Sequence, residues 1–373
     1  MTYAQYSIIP YFIISALLLA TAALILQLSQ FYRSICIELP KSQFEPIDGL
    51  RGYLALAVLY HHAIINQHYF QTWNWEANNW TFYPSAARWG VLTFFMITGF
   101  LFWNKVIKTE GKINIQSFYT GRLKRLAPAY FASISLLIII AFAYHNFHPM
   151  EGRYLLTKSI LPWFAFGVLE TGDINQYPHT SHINADVIWT LAYEWKFYLA
   201  LPFISIAWRG YSFLVMLTLM YTYGMFIEDI GMIRFFAYGM AAAFFLNKFD
   251  MKNLFRSKAF SIIAMLLLIG AFFVQPSNRQ FLFFLFFVIV AGGNSLFSLF
   301  TNAPAKLLGT ISYSVYLFHG IVLFIVMHGI NRFLRVADLN EIHFWMVTAM
   351  CGLLTVILSS ITYRFIEHPF IHR

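Results

Sequence analysis

The stretch DGLRGYLALAVLYHHAII, residues 48–65, places Arg51 and His62 eleven residues apart. On an α-helix, at about 100° per residue, that is close to three whole turns. The two side chains then share one face, roughly 16 Å apart along the axis. His61 points about 100° away. An arginine presents a planar fork that grips phosphate or carboxylate oxygens in pairs. A histidine takes up a proton near neutral pH or carries a group on a ring nitrogen. The pair thus describes an anion held at one end of a helix and proton or group transfer further along it. A histidine bonded structurally to a neighbouring helix is the other reading of His62.

Four further stretches carry chemistry. In FYTGRLKRLAPAY, Arg122 and Arg125 are three apart and face one way on a helix. They suit a second anion contact, or anchoring at a membrane surface. In VIWTLAYEWKFYLALPF, Glu194 falls inside an apolar run, where a carboxylate is costly unless paired. Lys196 is two residues on and does not face it, so His62 is its expected partner. Such a pairing fixes the imidazole tautomer and suits a general base, or simply fixes helix packing. In LGTISYSVYLFHG, His319 lies inside another apolar run, and Ser312 and Ser314 suit bonds between helices. In YRFIEHPF, Glu367 reads as a helix end anchored at the membrane surface ahead of Pro369.

These residues sit in a chain of 373 residues that is 59% hydrophobic and only 11% charged. Soluble domains carry about 25% charged residues. Apolar runs of spanning length recur from end to end, and the short alternating segments of a membrane barrel are absent. The fold class is therefore all-α: a polytopic membrane helical bundle of about eleven transmembrane helices. The expected spans lie near 7–30, 50–66, 89–104, 126–144, 188–207, 211–227, 231–247, 259–275, 280–300, 308–329 and 343–363. The apolar run at 155–169 is short and broken by Pro162, so it reads as interfacial or re-entrant. The first run lacks a basic flank and a cleavage site and reads as a retained helix.

The net charge of +9 does not point to nucleic acid, because the basic residues fall between apolar runs. Their distribution follows the positive-inside bias instead. With the amino terminus outside, Arg51, Lys105, Lys108, Lys112, Arg122, Lys124 and Arg125 fall inside, against Arg88, Arg153, Lys158 and Arg279 outside. The carboxyl terminus is then cytoplasmic. Cys36 and Cys351 give neither a disulfide framework nor a metal spacing, and no metal is expected. Two long outer segments, 67–88 and 145–187, carry tryptophan, tyrosine and amide residues suited to stacking on a sugar ring or to lying at the headgroup level.

Taken in order, the motifs resemble the acyltransferase-3 family of integral membrane acyltransferases. The resemblance rests on DGLRG at 48–52 with His62, FFMITGF at 94–100, and FYTGRLKRLAPAY at 118–130. It continues with WTLAYEWKFY at 189–198, SYSVYLFH at 312–319 and YRFIEHP at 363–369. Thr98 and Thr190 stand where the family usually has serine, and both keep a hydroxyl. Gly121 replaces a frequent arginine, which leaves Arg122 and Arg125 for phosphate. Residues 1–46 add one transmembrane helix and a linker to a ten-helix acyltransferase core at 47–373.

The resemblance implies transfer of an acyl group, usually acetyl from acetyl-CoA, to a hydroxyl. It implies His62 as base or acyl carrier, Glu194 as its orienter, and Arg51, Arg122 and Arg125 on the acyl-CoA phosphates. Asp48, His61, Thr98, Trp189, Tyr198, Ser312, Tyr316 and His319 are the expected substrate or supporting residues. The implied acceptor is a glycan or lipid-linked glycan outside the cytoplasm, such as lipopolysaccharide O-antigen, and some members modify small molecules. The expected setting is the bacterial cytoplasmic (inner) membrane, with membrane lipids as surroundings and no appended esterase-like domain. A proton-coupled transporter is the rival class, since buried Arg, Glu and His also build proton relays. The paired broken helices of many carriers are not seen.

Overall fold

A computed structural model describes residues 6–38, 44–76, 82–208, 231–274 and 276–371, with Leu214 and Thr218 between them. Among these residues there are helices and turns and no strand. The longer helices are α1 (Ile9–Leu28), α2 (Glu45–Thr72), α3 (Phe82–Lys108), α4 (Ile115–Tyr144), α5 (Trp189–Ile204) and α6 (Ile233–Lys248). They continue with α7 (Lys258–Gly270), α8 (Pro276–Ala291), α9 (Ala303–Thr310), α10 (Ser312–Asn331) and α11 (Glu341–Thr362). The protein is a multi-pass helical membrane bundle.

Every expected span within the described residues meets a helix; the span at 211–227 lies almost wholly outside them. By length and composition, five described helices can cross a membrane: α1, α3, α4, α10, and α11 with its continuation to Ile371. The 16-residue helices α5, α6 and α8 reach about 24 Å, short of a hydrocarbon core of about 30 Å. Helix α2 has 28 residues, but its polar residues keep it out of the apolar set. The expected span at 280–300 stops at Ala291, where Gly293 turns the chain at φ 109°. The run at 155–169 folds as a short helix, Arg153–Ile160, and a 3-10 turn, Leu161–Phe164, that begins beside Pro162. The outer segment at 67–88 is shorter than expected, since α2 runs on to Thr72 and α3 starts at Phe82.

The helices bury hydroxyls and expose hydrocarbon, as lipid-facing helices do. On α11 the exposed stripe is Ile342, Met346, Met350, Leu354 and Ile361, while Thr348 and Thr355 are wholly buried. Those two hydroxyls donate to carbonyls one turn back, of Phe344 and Cys351, so neither is stranded.

Close backbone approach fixes α2, the helix that carries Arg51 and His62. A Cβ on Gly49 would lie 1.9 Å from the Phe300 carbonyl oxygen, and one on Gly309 of α9 would lie 1.7 Å from that of Asp48. The glycines of DGLRG and of the α9 segment thus let two backbones touch. Lys306 of α9 also pairs with Glu45 at the start of α2. On its other faces α2 packs on α3 and α10. Helices α3 and α6 cross as closely: a Cβ on Gly99 would meet the Phe236 carbonyl at 2.2 Å, and one on Gly239 that of Met96 at 2.0 Å.

Candidate active site

A cavity of about 520 Å³ opens among α2, α3, α4, α5 and α10. Its polar lining includes Arg51, Arg122, Arg125, Glu194, Thr98 and Tyr198, with Ser312 and Tyr316 on α10. Residues from five separate motifs thus meet on one space. Arg122 and Arg125 face it together because α4 begins at Ile115, capped by the Asn114 side chain on the Ser117 N–H at 2.9 Å. That start puts both arginines inside the helix and turns them the same way.

The three cations are interleaved with acids and phenols. Thr98 Oγ1 donates to Glu194 Oε1 at 3.0 Å, and Tyr198 donates to Glu194 Oε2 at 3.4 Å. Arg51 and Arg122 lie close enough to act on the same carboxylate. Arg122 lies beside Tyr198 and sits 4.8 Å over the Phe102 ring. Asp48 acts on Arg51 from one turn back. Arg125 lies beside Tyr363 and faces Glu367.

Glu194 was expected to pair with His62, and it does not. Its two oxygens are taken by Thr98 and Tyr198, and its charge answers the arginines. His62 finds its partner on α10: Nδ1 lies 2.8 Å from His319 Nε2, with the rings stacked 5.0 Å apart. His319 is wholly buried, and its Nδ1 lies 3.1 Å from the Val315 carbonyl oxygen. A carbonyl only accepts, so His319 Nδ1 carries the hydrogen and the Nε2 of the neutral ring must accept. His62 Nδ1 is then the donor, and His62 Nε2 keeps its lone pair. That arrangement assigns the tautomers of both rings.

His61 stands beside this pair, 5.2 Å from the His62 ring, and its buried Nδ1 has no hydrogen-bond partner among the described residues. None of the three histidines lines the cavity, nor do Asp48 and Trp189. Tyr316 connects the two regions. It lines the cavity, its hydroxyl lies 2.8 Å from Thr190 Oγ1, and its ring is 6.0 Å from that of His319 one turn on.

Glu367 is also placed otherwise than expected. It is not a surface anchor: it is wholly buried, and its Oε1 accepts a 2.5 Å hydrogen bond from Ser314. A π-helical turn over Tyr363–Glu367 brings it inward at the end of α11. Ser312, in contrast, makes no bond across helices; its buried Oγ has no partner among the described residues and faces the cavity.

The chain matches the sequence model of the acyltransferase-3 family, described as an acyltransferase domain, over residues 44–364. It belongs to that family. A protein of Staphylococcus aureus (strain COL) named "Putative O-acetyltransferase" is 23% identical over 370 residues, which is 87% of this chain and 57% of that protein. The same name is carried by a protein of strain MSSA476 that is 22% identical over the same shares. Nodulation protein 10 of Rhizobium leguminosarum bv. viciae is 26% identical over 178 residues, 44% of this chain and 45% of its own length. The chain spans little more than half the length of the staphylococcal relatives. No solved structure matches it.

Within this acyltransferase-3 chain, four neighbours of the arginine cluster were not expected at the site. Phe102 packs under Arg122, Lys105 lines the cavity, and Glu367 with Tyr363 engages Arg125. A carboxylate in the closing YRFIEHP motif was the available signal for Glu367.

Proposed function

We propose that this protein is a membrane O-acyltransferase that moves an acetyl group from acetyl-CoA to a hydroxyl of a glycan outside the cytoplasm. The observation that carries this reading is the joining of Arg51, Arg122 and Arg125 in one cavity whose Tyr316 leads to the His62–His319 pair. Acetyl-CoA is the donor substrate. Its phosphates suit the arginine forks, and Glu194 holds two of those arginines in place. An extended pantetheine arm reaches about as far as the roughly 16 Å rise from Arg51 to His62.

His62 Nε2, with its lone pair free, acts as general base. It takes the proton of the acceptor hydroxyl as that oxygen bonds to the thioester carbonyl carbon. The carbon–sulfur bond then breaks, and the imidazolium returns the proton to the leaving thiolate. His319 positions the base by accepting from His62 Nδ1. In this reading the arginine end faces the cytoplasm across a bacterial inner membrane, with the amino terminus outside and the carboxyl terminus inside; the excess of basic residues on that side supports the orientation. The acceptor is a surface polysaccharide, with lipopolysaccharide O-antigen as the leading case.

The test is acetyl transfer by the reconstituted full chain, read as free CoA thiol and as acetyl mass on lipid-linked surface glycan. The native protein is expected to yield both products, and His62→Ala neither, at equal protein levels. Acetylated glycan from the His62→Ala protein would remove His62 from this role. No CoA release by the native protein with any glycan offered would remove the reading itself.

A further inference from the structure

A second cavity, of about 230 Å³, lies in the segment between α4 and α5. Its lining includes Trp163, Glu170, Ser181, Asn184, Asp186 and Trp189. Asn184 is only 3% exposed, and its Oδ1 is buried with no hydrogen-bond partner among the described residues. A buried amide oxygen without a partner is costly and marks a place where a ligand group would be welcome. Trp189 is the opposite case: 42% exposed, a large ring held open at the rim. Trp163 is buried to 1%, with its N–H already donating to the Gly172 carbonyl, so it offers only an apolar wall.

We infer that this cavity binds one neutral pyranose ring of the acceptor, with its hydroxyls on Asn184, Glu170 and Asp186 and its carbon–hydrogen face on Trp189. This rests on the acyl-transfer reading above, and it names where that reaction's acceptor is recognised.

Four arguments select the ligand. A hydroxyl both donates and accepts, so it satisfies the Asn184 amide whichever way the amide is turned. Glu170 and Asp186 accept from hydroxyls and repel anions, so acidic sugars and phosphates are disfavoured. The volume lies below the roughly 300–1,000 Å³ of pockets for drug-sized ligands, which fits a single ring rather than an oligosaccharide. An exposed tryptophan beside polar acceptors offers an apolar face with hydroxyl partners around it.

The cavity is also placed next to the transfer machinery. Trp189 belongs to it, and the next residue, Thr190, lines the arginine cavity and contacts the Tyr316 hydroxyl. On its other side the backbone of Asn184 packs against α10 so tightly that a Cβ on Gly320 would lie 2.3 Å from the Asn184 carbonyl carbon. Gly320 follows His319, the partner of His62. The proposed sugar site therefore adjoins both the donor cavity and the histidine pair.

The experiment uses the full chain in lipid nanodiscs and saturation-transfer NMR. The probes are methyl glycosides of glucose, galactose and mannose, with methyl glucuronide as the anionic counterpart and choline as a cation. Acetyl-CoA binding is measured in parallel on the native protein. At least one neutral glycoside is expected to show transfer strongest on its ring C–H protons, and the glucuronide less. Asn184→Leu and Trp189→Ala are each expected to weaken that binding about tenfold. Arg153→Ala, on the exposed helix nearby, is expected to keep it. Acetyl-CoA binding with no glycoside signal would overturn the sugar site and leave the donor reading standing. Equal signals in both variants, or a response to glucuronide or choline alone, would overturn the sugar site as well. Glycoside binding that follows the variants as expected, with no acetyl-CoA binding, would support the sugar site and remove the donor reading.

Discussion

His62 Nδ1 meets His319 Nε2 at 2.8 Å, and the far nitrogen of His319 is fixed on the Val315 carbonyl. The chain of bonds leaves one lone pair available, on His62 Nε2. His62→Ala is expected to lower turnover by about 10²–10⁴-fold, the usual worth of a positioned base. His319→Leu removes the acceptor that sets the tautomer, so turnover is expected to fall while the KM for acetyl-CoA stays near its native value. Gln at that position still offers an oxygen to His62 Nδ1, so His319→Gln should recover part of the loss. Steady-state kinetics on the three variants checks the order; equal activity of His319→Leu and native protein would end the tautomer argument.

The Arg125–Glu367 relationship makes a stability prediction. Glu367 is wholly buried and holds Ser314, while Arg125 and Tyr363 face it. Arg125→Ala removes a cation that faces a buried carboxylate, and is expected to cost about 1–3 kcal/mol. Glu367→Gln keeps the Ser314 bond and is expected to cost less. The double variant should recover most of the loss, because no charge is left unpaired. Thermal unfolding of the four proteins in one detergent measures the coupling. Strictly additive losses would mean that the two groups do not interact.

These two relationships differ in how far they could be read in advance. The helical class followed from the apolar runs, and the common facing of Arg122 and Arg125 followed from helical spacing, since both depend on local period alone; that Arg51 joins them depends on packing between helices. The partner of His62 did not follow. Glu194 and His319 both sat in apolar runs, and which one meets His62 depends on how α3, α5 and α10 pack, a long-range matter. Thr98 and Tyr198 occupied Glu194 first. Glu367 was misplaced for a different reason: a π-helical turn rotates it inward, and nothing in a period of 3.6 residues announces that turn. The long outer segment was misjudged at both ends, because α2 extends through polar residues to Thr72 and α3 begins at Phe82, ahead of its apolar run.

The seating of α2 against α9 predicts an unequal response to adding one methyl group. A Cβ on Gly309 would lie 1.7 Å from the Asp48 carbonyl oxygen, and no flexible side chain is there to yield. Gly309→Ala is therefore expected to cost at least about 1–3 kcal/mol, the range for overpacking, and to weaken acetyl-CoA binding by shifting the turn that carries Arg51. Gly121 has nothing within 4 Å of its added Cβ. Gly121→Ala is expected to be neutral or to stabilise by up to about 1 kcal/mol through helix propensity. Unfolding midpoints and acetyl-CoA titrations on both variants check this. A Gly309→Ala protein as stable as the native one would refute the close contact.

The last prediction concerns pH and the segment that forms the second cavity. The His182 ring stacks between Trp75 at 4.1 Å and His179 at 4.9 Å, and its buried Nδ1 has no hydrogen-bond partner among the described residues. Burial, helped by the neighbouring His179, lowers its pKa to about 4, against the opposing pull of Asp173. An unfolded histidine titrates near 6.5. Between those values the opened segment binds more protons than the packed one, so packing is favoured as pH rises. The stabilisation is complete above about pH 6.5 and is lost as pH falls toward 4. Hydrogen exchange over residues 173–187, corrected for intrinsic rates, is therefore expected to show weaker protection at pH 5 than at pH 7. His182→Phe keeps a ring on Trp75 and carries no proton, so its protection should be flat across that window. A native-like pH dependence in His182→Phe would assign the effect to another group.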